Sequence, residues 1–303
     1  MLKKVFTRVF LSLVAFISIL LVTSLEKEDV VKESFFNYDT AIVYLMDSNH
    51  MLGKVDVIKE SDNVIDLTYE LLDILIKDGN KESVIPSGFI SILPSETKVN
   101  GVSYLDGILQ VDLSGDFFDM DASLEEIALE SVIYTLTSID DVSGLILSVD
   151  GVQLERLSNI TLPNLLTKEF GINKRYDLTS LNDIKSVNEY FISKNGYYIP
   201  VTKYVNDDRE KIEIIIEDLT SSNTYMTDLI SYINSNTKLK EVNIEDNKMK
   251  LTFNTYILND FDTILEEVVD TISYSVYDNY DVDEVIFYVD DKEICKSVLK
   301  SIE

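Results

Sequence analysis

VIYTLTSIDDVSGLILSVDG, residues 132–151, and ISYSVYDNYDVDEVIFYVDD, residues 272–291, lie 140 positions apart and place apolar residues, a tyrosine (Tyr134, Tyr274), an acidic turn and a terminal Val-Asp at matching points. In the first stretch Val132, Leu136 and Ile139 follow helical spacing, and Leu145, Leu147 and Val149 alternate as one face of a strand. The same offset sets Met249, Leu251 and Phe253 against Leu109, Val111 and Leu113, so duplication without insertion over this half explains the pattern. Gly144 and Gly151 are exchanged for Glu284 and Asp291 in the second copy. A catalytic set would resist exchange in at least one copy, whereas a packing unit needs only its apolar positions. The repeat reads as a fold written twice.

Working outward, the first copy opens with the strand AIVYLMD, the turn SNHMLG and the returning strand KVDVIK, which together predict a hairpin. VIDLTYELLDILIKDG predicts an amphipathic helix stopped at Gly79, and IPSGFISILPSETKV a loop whose Gly88 meets a turn requirement. A second hairpin turns at Asp106-Gly107. Ser123-Leu124-Glu125-Glu126 has the form of a capping box at the start of the next helix. The second copy repeats this order: VNEYFIS and YIPVTKYV, a helix around REKIEIIIEDLTS, a short helical piece at TYMTDLISYINS, and a hairpin turning at Asp246-Asn247. ICKSVLKSI predicts a short terminal helix that half-buries Cys295. The expected class is α+β: two tandem small α/β units over residues 40–152 and 186–303, joined by a linker at 153–185.

Of 303 residues, 46% are hydrophobic, ample for two cores, and the net charge is -28. Such a surface repels phosphate backbones, which disfavours nucleic acid as a partner. Residues 9–25 form a 17-residue uncharged run behind Lys3, Lys4 and Arg8, and Glu26-Lys27-Glu28-Asp29 ends it. That length sits at the lower limit of about 17 for a membrane-spanning helix. Residues 1–25 are therefore expected to be an export signal or, preferably, an uncleaved apolar anchor helix. An acidic spacer follows at 26–39, and the bulk of the chain is expected on the extracytoplasmic side of the cell membrane.

Candidate chemistry is sparse. Cys295 is the only cysteine, so no intrachain disulfide is possible, and His50, the only histidine, falls in a polar turn without a counterpart in the second copy. Asp112, Asp116, Asp119 and Asp121 are the best cation candidates, but they miss the D-x-D-x-D-G spacing and are thinned in the second copy. Tyrosines such as Tyr44, Tyr104, Tyr134, Tyr190 and Tyr274 fall at strand and helix positions and read as packing residues. No phosphate-binding loop of the GxxxxGK type and no GxGxxG is present. The expectation is a chain with no catalytic, cofactor-binding or metal site.

IPSGF, LPSETKV, DGILQVDLS and YTLTSIDDV in the first copy, and EYFISKNGYYIPVTKYV with FGIN (Phe170 to Asn173) in the second, are similar to the GerMN domain. Over residues 40 to 293 the chain resembles sporulation and germination proteins that carry two such domains in tandem. The resemblance implies units like the ring-building motifs of secretion systems, with two helices on a small mixed sheet. It implies a non-enzymatic protein that helps form or stabilise the complex between mother cell and forespore. Its partners would be other envelope or sporulation channel proteins, with self-association possible. The family pattern includes a lipid-anchored form, but no Cys follows the apolar run here, so a lipoprotein is not expected. The alternative is an extracytoplasmic module that binds glycan or peptidoglycan fragments.

Overall fold

The computed structural model describes residues 33–34, 40–157, 160–221 and 229–299. The expected apolar N-terminal helix lies outside the described residues. Among those described, no helix is long and apolar enough to cross a membrane.

The first unit begins with the hairpin β1 (Thr40–Asp47) and β2 (Leu52–Ile58), continues through α1 (Val64–Leu75) to a second hairpin β3 (Val99–Leu105) and β4 (Ile108–Leu113), and ends in α2 (Glu125–Leu136) and β5 (Gly144–Val149). The second repeats it as β6 (Lys185–Ser193), β7 (Tyr198–Val205), α3 (Lys211–Thr220), β8 (Leu239–Glu245), β9 (Lys248–Phe253), α4 (Glu266–Tyr277) and β10 (Glu284–Val289), then adds β11 (Lys292–Val298). Local chemistry accounts for most boundaries. Asn63 caps α1 by accepting the amides of Ile65 and Asp66. Asp106 and Gly107 both take positive φ, as do Asp246 and Asn247, which gives each tight hairpin a turn matching strand twist. β4 and β5 pair in parallel, as do β9 and β10, because a helix returns the chain across each sheet.

α2 is buried all round from Ala128 to Leu136, since it packs against β1, α1 and the turn at Lys168–Phe170. The repeat has two offsets. The 140 spacing holds from β3 onward, but the first hairpins match at 146, with Tyr44 over Tyr190 and Leu52 over Tyr198. The difference falls between α1 and Phe89–Ile90, whose pairing with the end of β1 is repeated by Leu229–Ile230 on β6.

Several local expectations are corrected. Leu229–Ile230, inside the stretch expected to be helical, is a strand; residues 222–228 lie outside the described residues. Residues 294–298 of the terminal ICKSVLKSI lie in the strand β11, because the open edge of β10 outweighs a weak helical spacing and turns Cys295 and Ser297 inward; residues 300–302 lie outside the described residues. No capping box forms at α2. The Ser123 amide and hydroxyl both bond Asp121 Oδ1, at 2.8 and 2.7 Å, and the helix starts behind Leu124.

The two units share a sheet. β2 and β7 run antiparallel through the Tyr198–Lys54 pair, so the opening hairpins form one continuous surface in the order β6, β7, β2, β1. Parts of the stretch expected as a linker pack onto the units. Leu154, Leu157, Leu162 and Leu166 are buried in the first unit's core, and Arg175–Asp177 adds in parallel to β7. At Gly144 a Cβ would meet the partly exposed Leu165 side chain at 2.8 Å, and its counterpart Glu284 is paired with Lys248 and Lys296.

Candidate functional site

The joint between the units is where the repeated residues meet. Equivalent tyrosines face one another across it: Tyr44 packs edge-on to Tyr134 with centroids 5.5 Å apart, Tyr190 is tilted against Tyr274 at 5.4 Å, and the Tyr44 and Tyr190 hydroxyls are 3.4 Å apart. Such edge-to-face pairs add about 0.5–1.5 kcal/mol beyond the area they bury. Tyr190 donates to Asp278 Oδ2 at 2.8 Å and Tyr134 to the Lys168 carbonyl at 2.9 Å. Burial pushes the pKa of Tyr44, Tyr134 and Tyr190 upward, so these phenols stay protonated and act as donors.

Helix side chains close the outer edge of each hairpin. The Tyr44 amide donates to Thr135 Oγ1 at 3.0 Å, while Ser131 Oγ donates to the Tyr44 carbonyl at 2.6 Å. At the equivalent place the Tyr190 amide donates to Ser275 Oγ at 2.9 Å, and Asn279 exchanges bonds with the Asn188 backbone. A strand edge that would otherwise bury unpaired amides is thereby satisfied by side chains of α2 and α4.

On one side of the joint the strands are held apart by Asn173. Its Nδ2 donates to the carbonyls of Leu52 and Pro200 at 2.8 and 2.7 Å, and its Oδ1 accepts the Leu52 amide at 2.9 Å. Pro200 has no N–H to offer the ladder, so a side chain completes the pairing instead. The Asn173 amide donates to Glu130 Oε2 at 2.9 Å, and Lys174 Nζ lies 3.3 Å from the same carboxylate. Burial raises the Glu130 pKa to about 7 against the pull of Lys174. Its counterpart Asp270 is also raised by burial and accepts the Tyr198 hydroxyl at 2.6 Å.

The other side is an open cleft of about 320 Å³, walled by Tyr44, Lys54, Asp56, Lys168, Tyr274 and Asp278. Lys54 Nζ sits 3.7 Å from the centroid of the Tyr274 ring, and burial lowers its pKa. Burial pulls Lys168 down as well, but Asp278, 3.6 Å away, and Tyr44 together turn the net shift upward. Away from the joint, Glu189 on β6 is fully buried and neither of its carboxylate oxygens has a hydrogen-bond partner; burial and then the Asp218 charge push its pKa well up.

The residues expected from sequence are scattered. His50 lies in the β1–β2 turn at φ 60°, and Cys295 is buried on β11. Asp112 accepts the Gly151 amide, Asp116 the Ser114 hydroxyl and Asp121 the Ser123 groups, each serving a turn. Among the described residues no three acids, histidines or cysteines gather as a metal set. Of the tyrosines, Tyr44, Tyr134, Tyr190 and Tyr274 meet at the joint; Tyr104 bonds the Asp141 carbonyl elsewhere. Glu130 and Asp270 were not singled out, although an acid inside each apolar helix, at the same 140 offset, was a visible signal.

The comparisons agree with this architecture. The chain is similar to the spore germination protein GerM of Bacillus subtilis (strain 168), 26% identical over 187 residues that cover 58% of this chain and 50% of that protein. It thus spans about half the length of that curated relative. The solved tandem GerMN domains of the sporulation protein GerM from Bacillus subtilis superpose with a TM-score of 0.77 at 23% identity, covering 85% of this chain and 93% of that one, which shows the fold. The model of the Germane family, described as sporulation and spore germination, matches residues 42–155 and 188–295. With both units matched, the chain belongs to the Germane family and is a GerM-like protein with two tandem domains.

Proposed function

We propose that this chain is a non-enzymatic assembly protein of the sporulation envelope. It works on the extracytoplasmic side of the membrane, helps form or stabilise the complex between mother cell and forespore, and is needed for normal germination. The observation that carries the reading is the family match over both units, joined through a surface of protonated, mutually bonded tyrosines. Groups held this way fix geometry and hold two domains rigid, which suits a scaffold. The strongly acidic surface favours protein or cationic partners over nucleic acid. The glycan-binding alternative draws on the tyrosine-lined cleft, but Lys54 covers the face of Tyr274 on which a sugar ring would stack.

A fluorescent fusion followed through sporulation tests the proposal. Enrichment at the engulfing membranes, with a germination defect on deletion, is expected. Uniform distribution in vegetative cells with no enrichment during engulfment would overturn it.

A further inference from the structure

The two hairpins meet in a pseudo-twofold arrangement, so each strand position on one side of the joint has an equivalent position on the other. β7 extends past the start of β2, and its free edge from Thr202 to Val205 carries a strand. The Thr202 amide donates to the Ile172 carbonyl at 2.8 Å, Thr202 Oγ1 accepts the Ile172 amide at 3.0 Å, and Arg175–Asp177 pairs in parallel with Lys203–Val205. Alongside, Lys174 reaches Glu126 and Glu130 on α2, at 2.7 and 3.3 Å. β2 likewise extends past the start of β7, and the residues equivalent to Thr202–Tyr204 are Asp56–Ile58. Among the described residues, only β1 and, at Lys54, β7 pair with β2. The amide and carbonyl of Tyr44 point away from β2 to α2, so by strand alternation those of Asp56 and Ile58 point to the open edge. Exposure follows the difference: Thr202 is buried, whereas Asp56 is exposed and Ile58 is 78% exposed.

We propose that the Asp56–Ile58 edge is a docking site for an extended, basic segment of a partner protein, added in parallel to β2 as Arg175–Asp177 is added to β7. Main-chain bonds to a sheet edge supply affinity in this mode, and neighbouring side chains supply preference. The preference here is for positive charge. Glu266 and Asp270 on α4 stand where Glu126 and Glu130 receive Lys174, and Asp56 takes the place of Thr202. Lys54 and Tyr198 stand at the places of Pro200 and Leu52. The chain's own spacer is the less fitting occupant, because it is acidic and Glu33–Ser34 pairs with β11.

The test uses the full chain and two labelled decapeptides: KEFGINKRYD, the sequence of residues 168–177, and the same peptide with Lys174 and Arg175 replaced by glutamate. The basic peptide is expected to bind saturably, to slow amide exchange at Asp56–Ile58, and to bind at least about fivefold more tightly than the acidic one. Ile58→Pro, which removes an outward amide at a strand end, should abolish binding while leaving the thermal transition in place. Glu266→Lys, an exposed change, should reduce or reverse the charge preference. Equal binding of both peptides, absence of binding, or indifference to Ile58→Pro would overturn the proposal. Slow exchange at Asp56–Ile58 in the free chain would also overturn it, through coverage by a second copy if concentration-dependent and by residues 26–39 if not. Protection by a soluble peptidoglycan fragment instead of the peptide would replace the proposal with the glycan reading.

Discussion

On one side of the joint, β7 from Pro200 onward carries the chain that links the two units, which bonds the Pro200 carbonyl and the Thr202 amide and pairs with Lys203–Val205. On the other, β2 beyond Lys54 faces a cleft lined by lysines and carboxylates. The strands and helices are equivalent, and the difference is made by one proline and one inserted asparagine. Pro200 breaks the ladder, Asn173 mends it, and the connection follows Asn173 into place. Two copies of a unit thus become a single asymmetric body while apolar residues are kept at equivalent core positions, Val132, Leu145 and Val149 in one and Ile272, Val285 and Val289 in the other.

The strongest way to break this comparison is to truncate its tyrosines. Tyr134→Ala removes a fully buried ring and the bond to the Lys168 carbonyl, and should cost about 3–5 kcal/mol in urea unfolding. Tyr274→Ala, at the half-buried cleft wall, should cost clearly less; equal losses would mean the two sides are filled alike. Asn173→Ala should cost about 2–4 kcal/mol, because it strands the Leu52 amide and two carbonyls at a buried site.

Edge closure by helix side chains should behave the same in both units. Thr135→Val and Ser275→Ala each leave a buried strand amide unpaired and should each cost about 1–2 kcal/mol. A loss in one unit only would sharpen the comparison by showing that the closures differ in strength.

An effect of similar size, confined to high pH, concerns Glu189, whose counterpart in the first unit is the apolar Val43. Its pKa is raised in the folded state, so the stability linked to it is fully present below the unfolded value of about 4.3 and is lost as pH rises through the folded value. Glu189→Gln should flatten that decline and leave the chain more stable by about 1–2 kcal/mol at pH 8, with little difference at pH 4. Urea titrations at the two pH values measure it.

Much of each unit was legible in the sequence. The helix and strand of 132–151 and 272–291, and the turns at Asp106-Gly107 and Asp246-Asn247, depend on local spacing and turn chemistry, which a sequence displays. The joint was not legible, because it depends on where β2 and β7 end relative to each other. The matching of Tyr44 with Tyr190 needs an offset of 146, which a search at 140 passes over. Pro200 and Asn173 look like ordinary strand and loop residues until the strands are laid side by side. β11 was misread for a related reason: the open edge of β10 decides its structure, not the residues of ICKSVLKSI.

Central to the account is that the two units unfold as one body through the shared sheet. Amide exchange measured by mass spectrometry across a urea series tests this directly, by comparing the β1–β2 and β6–β7 hairpins. A common opening free energy for both hairpins, lowered together by Asn173→Ala, is the predicted result. Separate opening energies, with the variant shifting only one hairpin, would contradict it.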